Sequence, residues 1–110
     1  MRPEIDVQAF AVAHADGAFV IDVREPAEYL AGHVPGAHLM PLAQALSRRD
    51  ELPKGEPVYV ICASGNRSKS ATDWLIGLGV EAISVAGGTS GWTAQGHPVV
   101  RGAHAGSAVA

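Results

Sequence analysis

The sequence has one cysteine, few aromatic residues and few charges. Cys62 is the sole cysteine among 110 residues, so no internal disulfide can form, and a disulfide-built secreted scaffold is excluded. A reducing compartment is the default for such a chain, and we expect a cytoplasmic protein. No apolar stretch follows the charged residues at positions 1–6, so we expect no secretory leader.

The sequence also lacks an overall positive charge and a long apolar run, and each absence excludes a class of function. The formal net charge is −3, so no overall basic field would attract nucleic acid or an anionic membrane, and we expect neither as a partner. The longest unbroken apolar run, residues 58–63, is far shorter than the ~20 residues that a membrane span needs. Hydrophobic residues make up 47% of the chain and charged residues 17%, which is typical of a folded protein rather than of a disordered one.

The length of the chain predicts one domain, because 110 residues fall within the usual domain size. We assign this domain to residues 1–101. Residues 102–110 consist of Gly, Ala, His, Ser and one Val, and we expect them to form a flexible tail.

Short apolar segments alternate with helical patterns along the chain. Short apolar runs rich in β-branched residues predict buried strands at 19–21, 58–61 and 82–85, with a short fourth strand at 39–40 and an edge piece at 4–5. Helices are predicted at 7–14, 26–31, 42–48, 68–78 and 90–95. This alternation predicts an α/β fold with a central, mainly parallel sheet flanked by helices on both faces. Ligands of such folds bind beyond the carboxyl ends of the strands, which is where Cys62 lies.

The strongest helical pattern covers residues 68–78. Its apolar positions recur at the spacing of one helix face and are expected to face the core: Ala71, Trp74, Leu75 and Leu78. Gly79 follows at the position of a left-handed C-terminal cap. We also expect Trp92, in the last helix, to pack in the core.

Cys62 begins a loop with the composition of an anion-binding site. Gly65 and Asn66 readily adopt left-handed backbone conformations, and a helix start near Ser68 adds N–H donors and a positive dipole end. Arg67 adds a full positive charge. In these surroundings the thiol pKa should fall and the thiolate should be nucleophilic. The alternative is that Cys62 is only a buried strand-end residue, because free cysteine is common in protein cores.

Three motifs in chain order resemble the rhodanese family of sulfurtransferases. They are VIDVREP with GHVPGAH at 20–38, the loop CASGNRS at 62–68, and GGTSGW with GHPV at 87–99. The resemblance implies the rhodanese-like fold and a two-step reaction at Cys62. The cysteine would take a sulfane sulfur from a small anionic donor such as thiosulfate and become a persulfide. It would then pass the sulfur to cyanide or to a thiol, including one on a partner protein.

The resemblance also implies roles for the loop that follows Cys62. Its backbone N–H groups would stabilise the terminal sulfur anion, and Arg67 would orient the donor. The loop residues concerned are Ala63, Ser64, Gly65, Asn66, Arg67 and Ser68. The hydroxyls of Ser64 and Ser68 are candidate donors to the persulfide, although Ser68 is equally suited to cap its helix.

Four residues before the loop are predicted to support the site rather than to react. We expect Asp22 and Arg24 to lie near it and Arg24 to pair with Glu28; the alternative is a solvated ion pair of little consequence. His33 is interpreted as a hydrogen-bonding structural residue, with proton transfer near Cys62 as the alternative.

The sequence predicts no metal and no cofactor. None of its five histidines has a partner at helical i, i+4 spacing, and zinc would lack a second cysteine. Gly87, Gly88 and Gly91 are not followed by the Lys-Ser/Thr of a phosphate-binding loop, so they predict a tight strand-to-helix turn beside the Cys62 loop.

Two other functions stay open. One is a cysteine-dependent phosphatase or arsenate reductase of the same fold, although these enzymes use Cys-x5-Arg and this chain has four residues between Cys62 and Arg67. The other is a non-catalytic rhodanese-like module, which either regulates other proteins or carries sulfur between them.

Overall fold

A five-stranded sheet forms the centre of the molecule, for which a computed structural model describes residues 2–106. Its strands are β1 (Glu4–Ile5), β2 (Phe19–Asp22), β3 (His38–Leu39), β4 (Val58–Ile61) and β5 (Ala82–Val85). They lie in the order β1-β5-β4-β2-β3, and every pairing between them is parallel. The predicted α/β fold with a parallel sheet is confirmed.

The helices are α1 (Val7–Ala15), α2 (Pro26–Ala31), α3 (Leu42–Ala45), α4 (Asn66–Gly77) and α5 (Gly88–Ala94), with a 3-10 turn at Arg49–Glu51. Along the chain, α1 to α4 connect successive strands and α5 follows β5. The helix predicted at 42–48 ends at Ala45, and a 3-10 turn follows it. Within residues 2–106, no helix has both the length and the apolar character needed to cross a membrane.

Helices cover both faces of the sheet, and each face has its own core. On one face, α3 and α4 pack against the strands, and the buried residues include Ile21, Val60, Ala71 and Leu75. On the other face, α1 and α5 contribute Phe10 and Trp92, which pack with Val20 and Ile61. Alternating residues of β2 and β4 therefore point to opposite cores, as the pleat requires.

The orientation of α4 differs from the prediction. Trp74 and Leu78, expected in the core, are 48% and 46% exposed. The buried face consists of Ser68, Ala71, Thr72 and Leu75. Ala71 and Leu75 are thus buried as predicted, whereas the other two buried positions are polar, so the apolar pattern identified only half of this face. Gly79 has the expected left-handed conformation, with φ +87°.

The first residues of the predicted tail contact the body of the protein. The N–H of Gly102 donates to the carbonyl of Leu30, and the N–H of Gly36 donates to the carbonyl of Ala105, at 2.9 and 2.8 Å. Residues 107–110 of that segment lie outside the described residues.

Candidate active site

Cys62 follows β4 directly, at the carboxyl edge of the sheet. Its side chain is only 1% exposed. The N–H of Gly65 donates to Cys62 Sγ at 3.1 Å, and Ser68 Oγ lies 3.5 Å from the same sulfur. The sulfur is thus held by groups that favour its negatively charged form.

Gly65 makes the turn that brings the loop back to the sulfur. It caps α4 with a left-handed conformation, φ +107°, which disfavours any residue with a Cβ. A Cβ here would also lie 3.2 Å from the backbone nitrogen of Gly87.

Helix α4 begins at Asn66, two residues earlier than predicted, so Ser68 lies in its first turn and is not its cap. Ser64 and Asn66 are exposed, and Ala63 is half-buried.

Two opposing effects set the acidity of the thiol. Burial raises the pKa of Cys62, but hydrogen bonds from Ser68, Gly65 and Ser64 lower it, and their sum leaves the pKa below its ordinary value. Because the thiolate is the nucleophilic form, this loop increases the fraction of Cys62 that is in the nucleophilic form near neutral pH.

We therefore expect the pH profile of thiol reactivity to depend on folding. The rate of Cys62 alkylation by iodoacetamide should fall as pH decreases through the pKa of the thiol. Since folding lowers that pKa, the midpoint should lie at lower pH for the folded protein than for the same protein unfolded in guanidinium chloride. A folded-state midpoint equal to or above the unfolded one would contradict this account of the loop.

The turn before α5 closes the other side of the loop. The N–H of Thr89 donates to the carbonyl of Cys62 at 2.8 Å, and that of Ser90 donates to the carbonyl of Ala63 at 2.9 Å. A Cβ at Gly88 would lie 2.5 Å from the first of these oxygens and 2.7 Å from the second. The glycine-rich segment therefore forms the predicted turn beside the loop, and it approaches the loop closely enough to fix its backbone.

Replacing Gly88 by alanine should displace this backbone. The new methyl group collides with two carbonyl oxygens in addition to straining a left-handed residue, φ +58°. The matched control is Gly17→Ala, because Gly17 is also left-handed, φ +86°, but nothing lies within 4 Å of its Cβ position. Chemical denaturation should show Gly88→Ala to be less stable than Gly17→Ala by about 1–3 kcal/mol. Equal losses would show that Gly88 is needed for its conformation alone.

Arg67 forms the ion pair that the sequence analysis assigned to Arg24. Two nitrogens of its guanidinium contact the two Glu28 carboxylate oxygens at 2.6 and 2.8 Å. This hydrogen-bonded pair lowers the pKa of Glu28 to about 2 and raises that of Arg67. The predicted Arg24–Glu28 pair is therefore wrong; Glu28 connects α2 to the Cys62 loop.

Arg24 pairs with Asp22 instead. Arg24 Nε and Nη2 lie 2.9 and 2.7 Å from Asp22 Oδ1 and Oδ2, and Nη2 also donates to the carbonyl of Gly32. The pair is buried, with side-chain exposures of 7% and 0%. Side chains two residues apart in an extended segment point to the same side, so the Asp22 carboxylate lies next to the Arg24 guanidinium.

His33 is fully buried and makes its hydrogen-bond contacts with backbone groups. Its Nδ1 lies 2.8 Å from the carbonyl oxygen of Tyr29, and its Nε2 lies 2.8 Å from that of His104. Its ring also stacks on that of Tyr29. These contacts support the structural interpretation of His33. In the described part of the chain, no cluster of three or more His, Cys, Asp or Glu side chains could hold a metal ion.

Comparison with known proteins agrees with this geometry. The family model of the rhodanese-like domain matches residues 7–95. The chain belongs to the rhodanese-like family. A thiosulfate sulfurtransferase, GlpE of Pseudomonas entomophila, is 40% identical over 82% of this chain and 89% of its own length. A sulfurtransferase of Allochromatium vinosum is 32% identical over 91% of this chain and 96% of its own length.

Other rhodanese-like relatives differ in extent. The putative sulfur carrier protein YrkF of Bacillus subtilis is 35% identical over 84% of this chain, which spans about half (52%) of that relative. Among solved structures, a rhodanese-related protein from Thermoplasma volcanium has a TM-score of 0.81 and 33% identity, covering 89% of this chain and 97% of the other.

One buried residue next to the Cys62 loop was not predicted from the sequence. Ser84, on β5, is 0% exposed, and its hydroxyl lies 2.9 Å from that of Ser68. The sequence could have indicated this residue, because Ser84 lies inside a predicted buried strand and a buried hydroxyl requires a hydrogen-bond partner.

Proposed function

We propose that this protein is a sulfurtransferase that transfers sulfane sulfur through a persulfide on Cys62. One observation carries the proposal: the buried Cys62 sulfur accepts a backbone hydrogen bond inside a loop with four residues between Cys62 and Arg67. The names of the relatives from Pseudomonas entomophila and Allochromatium vinosum support the same class of reaction.

In the first step, the Cys62 thiolate attacks the outer sulfur of thiosulfate. The sulfur–sulfur bond of the donor breaks, sulfite leaves with the bonding electron pair, and Cys62 becomes a persulfide. The N–H groups of the loop residues, Ala63 to Ser68, stabilise the terminal sulfur anion. In the second step, cyanide or a thiolate attacks this sulfur, and Cys62 leaves as the thiolate again.

Arg67 orients the anionic donor, and the ion pair with Glu28 limits the motion of its guanidinium. The Arg67 side chain is 36% exposed and therefore accessible from solvent. Asp22, Arg24 and His33 act as supports that hold the segment from β2 to α2 beside the loop. Cys62 must return to the thiolate after each reaction, and a reducing compartment keeps it from forming disulfides. This requirement favours the cytoplasm as the location of the protein.

The test is a comparison of two activities. Reduced protein is assayed for thiocyanate formation from thiosulfate and cyanide and, separately, for hydrolysis of an aryl phosphate. We expect thiocyanate formation with ping-pong kinetics and no phosphate hydrolysis, because the loop is one residue shorter than a phosphate-binding one. Aryl phosphate hydrolysis without sulfur transfer would replace the proposal by the phosphatase alternative.

A second candidate is a sulfur carrier that passes sulfur only to a partner protein. The name of the Bacillus subtilis relative favours this candidate. It predicts that thiosulfate loads Cys62 stoichiometrically but that cyanide and small thiols discharge the persulfide slowly. Rapid turnover with cyanide would exclude it.

A further inference from the structure

A chain of hydroxyl groups connects the Cys62 sulfur to the sheet. Ser68 Oγ lies 3.5 Å from Cys62 Sγ and 2.9 Å from Ser84 Oγ. Both serines are 0% exposed. Ser84 reaches Ser68 from β5, where it is paired in register with Val60, two residues before Cys62. A residue outside the loop is therefore linked to the reactive sulfur through one intermediate group.

The acceptors around each hydroxyl determine the direction of the bond between the serines. Each hydroxyl has one proton to donate. Ser68 Oγ has two acceptors besides Ser84, the carbonyl oxygen of Gly65 at 3.1 Å and Cys62 Sγ. Among residues 2–106, the hydroxyl of Ser84 has Ser68 Oγ as its hydrogen-bond partner and no other. Because a buried O–H without an acceptor is costly, Ser84 is the donor and Ser68 the acceptor.

This direction leaves the Ser68 proton available to the sulfur. While Cys62 is protonated, Ser68 donates to the carbonyl of Gly65. When Cys62 loses its proton to solvent, Ser68 can rotate its O–H toward the thiolate, and both serines keep their own protons. A hydroxyl that accepts a hydrogen bond is a stronger donor, so the bond from Ser84 strengthens the one from Ser68 to sulfur.

We propose that Ser84 is a positioning residue, whose buried hydroxyl donates to Ser68 and so directs the Ser68 proton to the Cys62 sulfur. The inference deepens the proposed function and rests on Cys62 being the reacting group. Ser84 itself contacts neither the sulfur donor nor the acceptor. The competing explanation is purely structural: Ser84 is a small residue that lets α4 pack against β5.

The test is the pH dependence of Cys62 alkylation by iodoacetamide in Ser84→Ala. We expect the midpoint to rise by about 0.2–0.5 pH unit, because the substitution weakens the hydrogen bond from Ser68 to the charged sulfur without removing it. The matched control is Thr72→Val. Thr72 is equally buried on α4, and its hydroxyl has no partner among the described residues, so its removal should leave the midpoint unchanged.

Two further variants separate the hydroxyl from the packing. Ser84→Thr keeps the hydroxyl and should keep the wild-type midpoint. In a Ser68→Ala background, Ser84→Ala should cause no further shift, because Ser84 acts through Ser68. Both alanine substitutions only remove an oxygen, so we expect these variants to fold, and thermal unfolding verifies this before the assay.

Three outcomes would overturn the proposal. These are an unchanged midpoint in Ser84→Ala, an equal shift in Thr72→Val, and a shift by Ser84→Ala that persists without the Ser68 hydroxyl. Alkylation requires no sulfur transfer. A protein that shows the expected shifts but forms no persulfide would therefore contradict the proposed function while leaving the role of Ser84 intact.

Discussion

Replacing Cys62 by serine is expected to abolish thiocyanate formation from thiosulfate, with a loss in kcat/KM of at least about 1,000-fold. A serine hydroxyl remains protonated at neutral pH and cannot carry a sulfane sulfur as a persulfide. The hydrogen bond from Gly65 and the contact with Ser68 do not replace this chemistry, because they only stabilise a charge that serine does not form. The measurement is steady-state thiocyanate production by the wild type and by Cys62→Ser.

The control for this experiment is the fold of the variant. An oxygen replaces a sulfur at a buried position without any change in the number of side-chain atoms, so the thermal unfolding midpoint should change little. A folded Cys62→Ser protein that retains activity within tenfold of the wild type would show that the reaction does not proceed through Cys62.

The buried ion pair of Asp22 and Arg24 is expected to contribute strongly to stability. Asp22→Asn should lower the free energy of unfolding by about 3–5 kcal/mol, because it leaves the buried Arg24 guanidinium without its counter-charge. For a domain of this size, such a loss corresponds to a decrease in Tm of more than about 10 °C. Thermal and chemical denaturation of the variant measure both quantities.

The chain provides a matched control for Asp22→Asn. Asp73 forms a similar pair with Arg2, with a nitrogen–oxygen distance of 2.8 Å, but its side chain is 47% exposed and that of Arg2 is 34% exposed. Solvent compensates for the loss of such a pair, so Asp73→Asn should change Tm by less than about 3 °C. If both variants lost the same stability, burial of the Asp22–Arg24 pair would not be what makes it important.

The fold followed from the sequence because its central strands are largely buried on both faces. The run at β4 is continuously apolar and that at β5 is interrupted only by Ser84, and the boundaries of both strands agree with the prediction. Helix α4 was harder to orient. Its buried Ser68 and Thr72 look like surface residues in a hydrophobicity pattern, whereas its exposed Trp74 looks like a core residue. Hydrophobic periodicity does not predict a helix face on which two of the four buried residues are polar.

The candidate site was predictable as far as it is local in sequence. The loop from Cys62 to Ser68 is one continuous segment, and the turn at Gly65 and a helix start within two residues of the observed one could be predicted from residue types alone. The partners of this loop come from elsewhere in the chain. Glu28 from α2 and Ser84 from β5 reach it only because the fold brings α2 and β5 beside the loop. Ion pairing was misassigned for the same reason, because sequence proximity favoured Arg24 over Arg67 as the partner of Glu28.

Intact mass spectrometry shows directly whether Cys62 carries sulfane sulfur. Reduced protein is weighed before thiosulfate treatment, after it, and again after addition of cyanide, with Cys62→Ser treated in parallel. We predict a gain of one sulfur atom in the wild type, its loss on adding cyanide, and no gain in the variant. If the mass of the folded, reduced wild type stays unchanged with thiosulfate and with persulfide donors, or if Cys62→Ser gains sulfur as well, Cys62 is not the sulfur carrier.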